Sequence, residues 1–189
     1  VFDGMLDIPY REDDATHPTS VYGRSKLAGE EYIRAMHAHH VILRTAWVYS
    51  PFGANFVKTM LRLSSDRDEV SVVADQIGNP TSALDIADAL IKIALKLSHN
   101  ATPADYGTFH MCGQGEASWA EMAEAIFETA ADFGRRPVRV RRITTQEYPT
   151  AAKRPANSRL DTHKLEAVYG IRLPDWRSSL DACVVRLLK

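Results

Sequence analysis

The stretch HVILRTAWVY at residues 40–49 decides the fold class of this chain. Its first half is apolar and β-branched, which is typical of a strand buried on both faces, as in a parallel sheet. Before this stretch, a helix capped by Thr19 or Ser20 is predicted to run to about His39. The order helix then buried strand already favours a mixed α/β architecture.

The rest of the chain continues the alternation of helices and strands. Helices are predicted at 55–63, 85–97, 118–133, 162–169 and 177–188, and strands at 70–73, 107–112 and 138–143, with loops at 78–82 and 144–157. This alternation predicts an α/β fold with a parallel sheet, to which the later, less regular portion is appended as a lobe.

Composition and charge exclude several classes of function. The chain has 189 residues, 45% of them hydrophobic and 25% charged, with a net charge of −1. This balance predicts no nucleic-acid partner, and the basic run at 135–142 is interpreted as a strand with a solvated face. No apolar run has the length of a membrane helix, so no membrane partner is predicted. Cys112 and Cys183 lie in apolar stretches, which predicts buried free thiols in a reducing compartment and a cytoplasmic location.

One segment imitates a dinucleotide-binding turn. GQGEAS at 113–118 follows a predicted strand and precedes a helix. However, Ser118 stands where the third glycine is needed, and Ser118 with Glu121 has the spacing of a capping box. The segment is therefore interpreted as structural. If the protein uses a nicotinamide cofactor, its phosphate-binding turn is expected upstream of Val1, where VFDG reads as the end of a strand.

Tyr22 and Lys26 are four residues apart on the first predicted helix, so their side chains share one face. A fixed ammonium favours the ionised form of a nearby phenol, which suits a proton donor and acceptor. Trp47 lies towards the C-terminal end of its strand, where open α/β sheets bind ligands. A core position is the alternative for Trp47, and the Tyr-Lys spacing alone arises easily by chance.

Seven motifs in register carry a family resemblance. They are VFDG at 1–4, PYRE at 9–12, VYGRSKLAGE at 21–30, LRTAWVY at 43–49, NFVKTML at 55–61, DQIGNPT at 75–81 and RPANSRL at 154–160. In this order they resemble the extended short-chain dehydrogenases/reductases, and among them the reductases of dTDP-4-keto-6-deoxyhexoses. The resemblance covers essentially the whole chain.

The resemblance implies a fold and a division of the chain. The fold is the C-terminal part of a Rossmann-like doubly wound parallel sheet plus a smaller α/β substrate-binding lobe. Residues 1–50 and 84–113 would form the remaining part of the dinucleotide-binding domain, and residues 51–83 and 114–189 the nucleotide-sugar-binding lobe. Part of a doubly wound sheet would leave one strand edge unpaired and helix faces uncovered.

The resemblance also implies a reaction and roles for five residues. The reaction is reduction of the C4 keto group of a nucleotide-sugar by NADPH or NADH. Tyr22 would donate the proton, and Lys26 would bind the nicotinamide ribose, so that both contact the cofactor. Trp47 would lie against the sugar. Asn55 and Lys58, at the start of a helix, would approach the diphosphate. A catalytic Ser/Thr would precede Val1.

The sequence departs from the family's pattern at one position, and two other functional assignments stay open. Some members of the family bind a metal through a glutamate just after Pro-Thr-Gly-Ala, at a dimer contact. Leu84 stands after Pro80-Thr81-Ser82-Ala83 here, so no metal and no dimer of that kind are predicted. A homodimer formed in another way stays open. The chain could also belong to another nucleotide-sugar reductase or epimerase, or to a non-catalytic regulatory subunit of the same fold.

Overall fold

The computed structural model describes residues 1–150 and 154–189. Its helices are α1 (Val21–Met36), α2 (Phe56–Leu63), α3 (Ala83–Asn100), α4 (Trp119–Asp132), α5 (His163–Tyr169) and α6 (Trp176–Leu188). Its strands are β1 (Val41–Arg44), β2 (Val48–Tyr49), β3 (Glu69–Val73), β4 (Ile77–Gly78), β5 (Thr81–Ser82), β6 (Gly107–His110), β7 (Ala117–Ser118), β8 (Arg139–Ile143) and β9 (Asn157–Ser158). The predicted α/β class is confirmed. Within the predicted loop at 144–157, residues 151–153 lie outside the described residues.

Parallel pairing dominates the sheets. Strand β1 pairs with β6, β2 with β5 and β3 with β8, each in parallel. Strand β4 lies between β9, to which it is parallel, and β7, to which it is antiparallel. Among the described residues β1 has a neighbour on one edge only, as the resemblance implied.

The predicted strand at 40–49 is wrong in two respects. It is divided into β1 and β2, because Trp47 adopts a left-handed conformation with φ of 46° that no regular strand accommodates. Burial along β1 also alternates: Ile42 and Arg44 are buried, whereas Val41 and Leu43 are only partly buried. The predicted loop at 78–82 contains the short strand β5.

Two hydrophobic clusters hold most of the buried side chains. The larger one joins α2, α4 and α6 to β3, with Val57, Ile126 and Leu180 almost fully buried. The other packs α3 and β6 together with Leu165 of α5, so it contains residues from both predicted parts of the chain. Large apolar residues on α1 and α3 remain exposed, among them Met36 and Ile91, as expected for uncovered helix faces.

The helices α1 and α4 begin at the capping residues that the sequence predicts. Ser20 caps α1 by accepting a hydrogen bond from the Gly23 amide at 3.0 Å. The helix ends at Met36, slightly earlier than predicted, because the next residue is extended. Ser118 and Glu121 form the predicted capping box, which confirms the structural interpretation of residues 113–118.

Other predictions from composition can be compared directly with the structure. The strand β8 is largely exposed on its arginine-bearing side, as predicted. Cys112 and Cys183 are buried and free, as predicted. Burial raises the pKa of the Cys112 thiol to about 12 and that of Cys183 to about 11, so both thiols are poor nucleophiles. Within the described ranges, no helix is both long enough and apolar enough to cross a membrane.

Candidate active site

The first turns of α1 present Tyr22 and Lys26 to solvent. The Lys26 ammonium lies 5.4 Å from the centre of the Tyr22 ring, and Tyr22 is 72% exposed. Neither the Tyr22 hydroxyl nor the Lys26 ammonium has a hydrogen-bond partner within residues 1–150 and 154–189. Both groups are therefore free to bond to a ligand.

A cavity of about 300 Å³ adjoins Tyr22. Its walls come from residues 1–2, the start of α1, the bend before β2, and the segment around β9. Tyr22 and Trp47 both line it, together with Asn157. The fold thus brings together one polar group able to transfer a proton and one large aromatic surface. This pairing suits a small polar ligand with an apolar face.

Trp47 is held in place by packing on more than one side. Its ring stacks on that of Trp119, with centroids 3.7 Å apart and planes 10° from parallel. It also lies so close to Gly78 that a β-carbon added there would be 2.5 Å from Trp47 Cε2. The left-handed backbone at Trp47 directs the ring into this position, and such conformations cluster at functional sites.

A second cavity, of about 450 Å³, lies between α2, β3 and the side of the chain that carries Tyr148, Thr150 and Arg154. Trp119 lines it, together with Tyr148, Arg67 and Arg154. The Arg154 guanidinium carbon lies 5.9 Å from the centre of the Trp119 ring. Because Trp47 lines the first cavity and stacks on Trp119, the tryptophan pair separates the two cavities. Sequence reasoning missed Trp119, although its position right after the capping box was a signal.

Asn55 and Lys58 line neither cavity. The Asn55 amide nitrogen donates to the Ser50 carbonyl at 2.7 Å, and its oxygen accepts from the Lys58 amide at 3.3 Å. Asn55 is therefore the N-cap of α2, and Lys58 is exposed in the first turn of that helix. The structure does not bring these two residues together with Tyr22 and Trp47, and their contact with a substrate stays a prediction.

The RPANSRL segment fastens the loop at residues 6–8 beside the first cavity. The Asn157 amide nitrogen donates to the carbonyl oxygens of Leu6 and Ile8 at 2.7 and 2.8 Å. The Arg159 guanidinium donates to the carbonyl of Asp7 at 2.5 Å. Since Asn157 also lines the cavity, this motif shapes the wall opposite α1. The sequence analysis used this motif only for the family resemblance and did not assign it this role.

Tyr10, which lines the same cavity, belongs to a group of hydrogen-bonded polar residues. The Tyr10 hydroxyl donates to Asp3 at 2.6 Å, which lowers the pKa of Asp3. Burial raises the pKa of Tyr10 and lowers that of His110, whose backbone amide donates to Glu12 at 2.7 Å. These groups are engaged in hydrogen bonds within the protein. Tyr22, by contrast, is an exposed hydroxyl-bearing residue on the cavity wall. The described residues contain no cluster of three or more His, Cys, Asp or Glu side chains placed to bind a metal.

Comparison with known proteins decides the family. The family model described as the RmlD substrate binding domain matches residues 1–189. The chain belongs to this family. The family resemblance inferred from the motifs is thereby confirmed.

Three relatives of this RmlD-family chain share the name dTDP-4-dehydrorhamnose reductase. A dTDP-4-dehydrorhamnose reductase of Sinorhizobium fredii is 50% identical over 188 residues, which are 100% of this chain and 64% of the relative. The solved structure of such a reductase from Clostridium acetobutylicum has a TM-score of 0.90 at 39% identity, and the match covers 100% of this chain and 63% of that one. A third, from Bacillus anthracis in complex with NADP, has a TM-score of 0.87 at 36% identity, covering 98% of this chain and 62% of that one.

The RmlD-family chain therefore spans somewhat less than two thirds of these relatives, 62% to 64% of their length. The structure shows the fold and the two cavities of the described part of this chain. The activity, substrate and cofactor of a complete protein are matters for a proposal.

Proposed function

We propose that this chain provides the proton-transfer and nucleotide-sugar-binding part of a reductase that uses NADPH or NADH. The proposed reaction is reduction of the C4 keto group of dTDP-4-dehydro-L-rhamnose to give dTDP-L-rhamnose. The observation that carries the proposal is the shared cavity, which the exposed Tyr22 and Trp47 both line. The name shared by the three relatives described above, which are 36% to 50% identical to this chain, supports it.

Tyr22 supplies the proton in this proposal. Its hydroxyl donates to the C4 keto oxygen as negative charge develops there, and the neighbouring Lys26 ammonium favours the phenolate that remains. Trp47 lies against the face of the sugar ring, where its apolar surface excludes water and orients the keto carbon. The stack on Trp119 keeps that surface fixed.

The exposure of Tyr22 and Lys26 supports a fit between these residues and a nicotinamide cofactor. The Tyr22 hydroxyl and the Lys26 ammonium are exposed on one face and have no partner among the described residues, so both can bond to ribose hydroxyls. When bound, the cofactor supplies the hydride that reduces the keto carbon. Orientation of the sugar and delivery of the proton are the contributions of this chain.

The second cavity suits the nucleotide part of the substrate. Aromatic rings of Trp119 and Tyr148 offer surfaces for a base, and the guanidinium groups of Arg67 and Arg154 offer positive charge for a diphosphate. Lys58, exposed at the start of α2, remains a candidate for the same diphosphate. Asn55 contributes by capping that helix.

The experiment uses the full-length gene product, purified alone, with dTDP-4-dehydro-L-rhamnose and NADPH. We expect oxidation of NADPH by the wild type, and loss of most of kcat in Tyr22→Phe with the nucleotide-sugar still bound. Undiminished turnover by Tyr22→Phe would refute the role of Tyr22. Absence of turnover by the wild type would instead favour a regulatory subunit. A preference for another nucleotide-keto-sugar in the same assay would favour a different reductase or epimerase.

A further inference from the structure

Among the residues that the structure describes, few side chains of helix α1 are buried. Of its 16 residues, only Gly23 and Glu30 are buried. Gly23 packs so closely on Pro18 that an added β-carbon would be 2.8 Å from the Pro18 Cβ. The apolar side chains further along the helix, such as Met36, are exposed among the described residues. Within the described part of the chain, Glu30 is thus the buried polar contact that joins α1 to the sheet.

The Glu30 carboxylate is held by a planar fork from the sheet. Arg44 Nε donates to one oxygen at 2.9 Å and Arg44 Nη2 to the other at 2.7 Å. Glu30 and Arg44 are each only 8% exposed. Arg34, one turn further along the helix and partly exposed, donates to the same carboxylate at 2.5 Å. Two oxygens bound in one plane fix both the distance and the direction of the helix relative to the strand.

Arg44 connects this fork to the cavity. It is the last residue of β1 and lies three positions before Trp47. Its Nη1 lies 3.5 Å from His110 Nε2 on the neighbouring strand, and its guanidinium carbon lies 5.1 Å from the centre of the Phe2 ring, which lines the cavity. Arg44 thus joins the helix that carries Tyr22 to the strand that leads to Trp47.

Stability alone does not account for a buried ion pair here. Removing two charges from water is costly, and well-packed apolar residues hold a helix on a sheet equally well. A planar fork offers defined geometry in addition. A rotation of α1 by about 10° would move a group about 6 Å from the helix axis by about 1 Å, given the width of a helix with its side chains. Displacements of about 1 Å can lower catalytic rates by about 100-fold.

We propose that Glu30 and Arg44 are positioning residues, which fix the rotation of α1 so that Tyr22 faces the sugar cavity. This inference rests on the proposed reductase function. The pair touches neither cavity contents nor Tyr22 itself. It acts on the reaction through the helix, and its loss is expected to lower kcat more than it raises the KM for the nucleotide-sugar, whose binding surfaces lie mostly on the lobe.

The test compares Arg44→Lys with Arg34→Lys in the full-length gene product. Arg44→Lys keeps the charge and loses the fork, and we expect kcat to fall about 10- to 100-fold with KM for the nucleotide-sugar changed by less than about threefold. Arg34→Lys alters the exposed contact to the same carboxylate, and we expect kcat within about twofold of the wild type. Wild-type kcat in a folded Arg44→Lys would overturn the proposal.

A second measurement separates positioning from a general loss of structure. In a Tyr22→Phe background, Arg44→Lys should lower the residual rate by less than about threefold, because the group being positioned is already absent. Equal losses in both backgrounds would overturn the proposal. If Arg44→Lys does not fold, Glu30→Gln, which keeps the shape of the side chain, is measured in the same two backgrounds. Full activity of Tyr22→Phe would refute the proposed function, whereas a large effect of Tyr22→Phe with none of Arg44→Lys would refute only this inference.

Discussion

Gly78 is the position where a single methyl group should disturb the cavity most clearly. In Gly78→Ala the new β-carbon would lie 2.5 Å from Trp47 Cε2 and 2.7 Å from Nε1, against 3.4 Å at the near limit of ordinary contact. Relief therefore requires a movement of 3.4 − 2.5 = 0.9 Å. Trp47 cannot make it without disturbing its 3.7 Å stack on Trp119.

The size of the effect follows from this geometry. Overpacking of a close-packed site costs about 1–3 kcal/mol, which exceeds the gain of about 0.5–1 kcal/mol from replacing a strand glycine by alanine. We therefore expect the free energy of unfolding to fall by about 1–2 kcal/mol. Trp47, which forms a wall of the proposed sugar cavity, would move by nearly the displacement of about 1 Å that can lower catalytic rates by about 100-fold. We therefore expect kcat/KM to fall by about 10- to 100-fold.

Urea denaturation of the full-length protein and steady-state kinetics measure both effects. The control is the same substitution in a Trp47→Leu background, where the smaller side chain removes the clash. There Gly78→Ala should cost less than in the wild type, so the two changes are not additive. Wild-type stability and kcat/KM in Gly78→Ala, or a full cost in the Trp47→Leu background, would refute the reasoning.

Two other predictions concern an acid-sensitive ion pair and the second cavity. The Lys96 ammonium, with Thr102, lowers the pKa of Asp105 to about 2, so the stabilisation is present above about pH 4 and is lost as pH falls towards 2. Asp105→Asn should therefore unfold at lower urea concentration than the wild type at pH 6, with the gap narrowing at pH 3; a constant gap would contradict the assignment. Arg154→Met should raise the KM for the nucleotide-sugar about 10-fold with kcat within about threefold, because the guanidinium group beside Trp119 would no longer face the diphosphate. A fall in kcat with an unchanged KM would contradict the proposed contact between Arg154 and the diphosphate.

The parts of the site that rest on local rules could be predicted from the sequence. Tyr22 and Lys26 share a face because a helix brings residues i and i+4 together, and Ser20 begins that helix because its hydroxyl accepts a backbone amide. The capping box at Ser118 excluded a false phosphate loop by the same reasoning. Asn55 shows the limit of the approach: the sequence placed it at a helix start, and the structure shows its amide occupied by the cap itself.

By itself the sequence determined the α/β class, the order of the elements and the face shared by Tyr22 and Lys26, since periodicity and capping act within a few residues along the chain. Tertiary structure alone decided that Trp47 turns left-handed over Gly78 and stacks on Trp119, and that Arg44 holds Glu30 by a planar fork. These contacts join segments far apart in sequence, and their geometry depends on side-chain packing that no local pattern records.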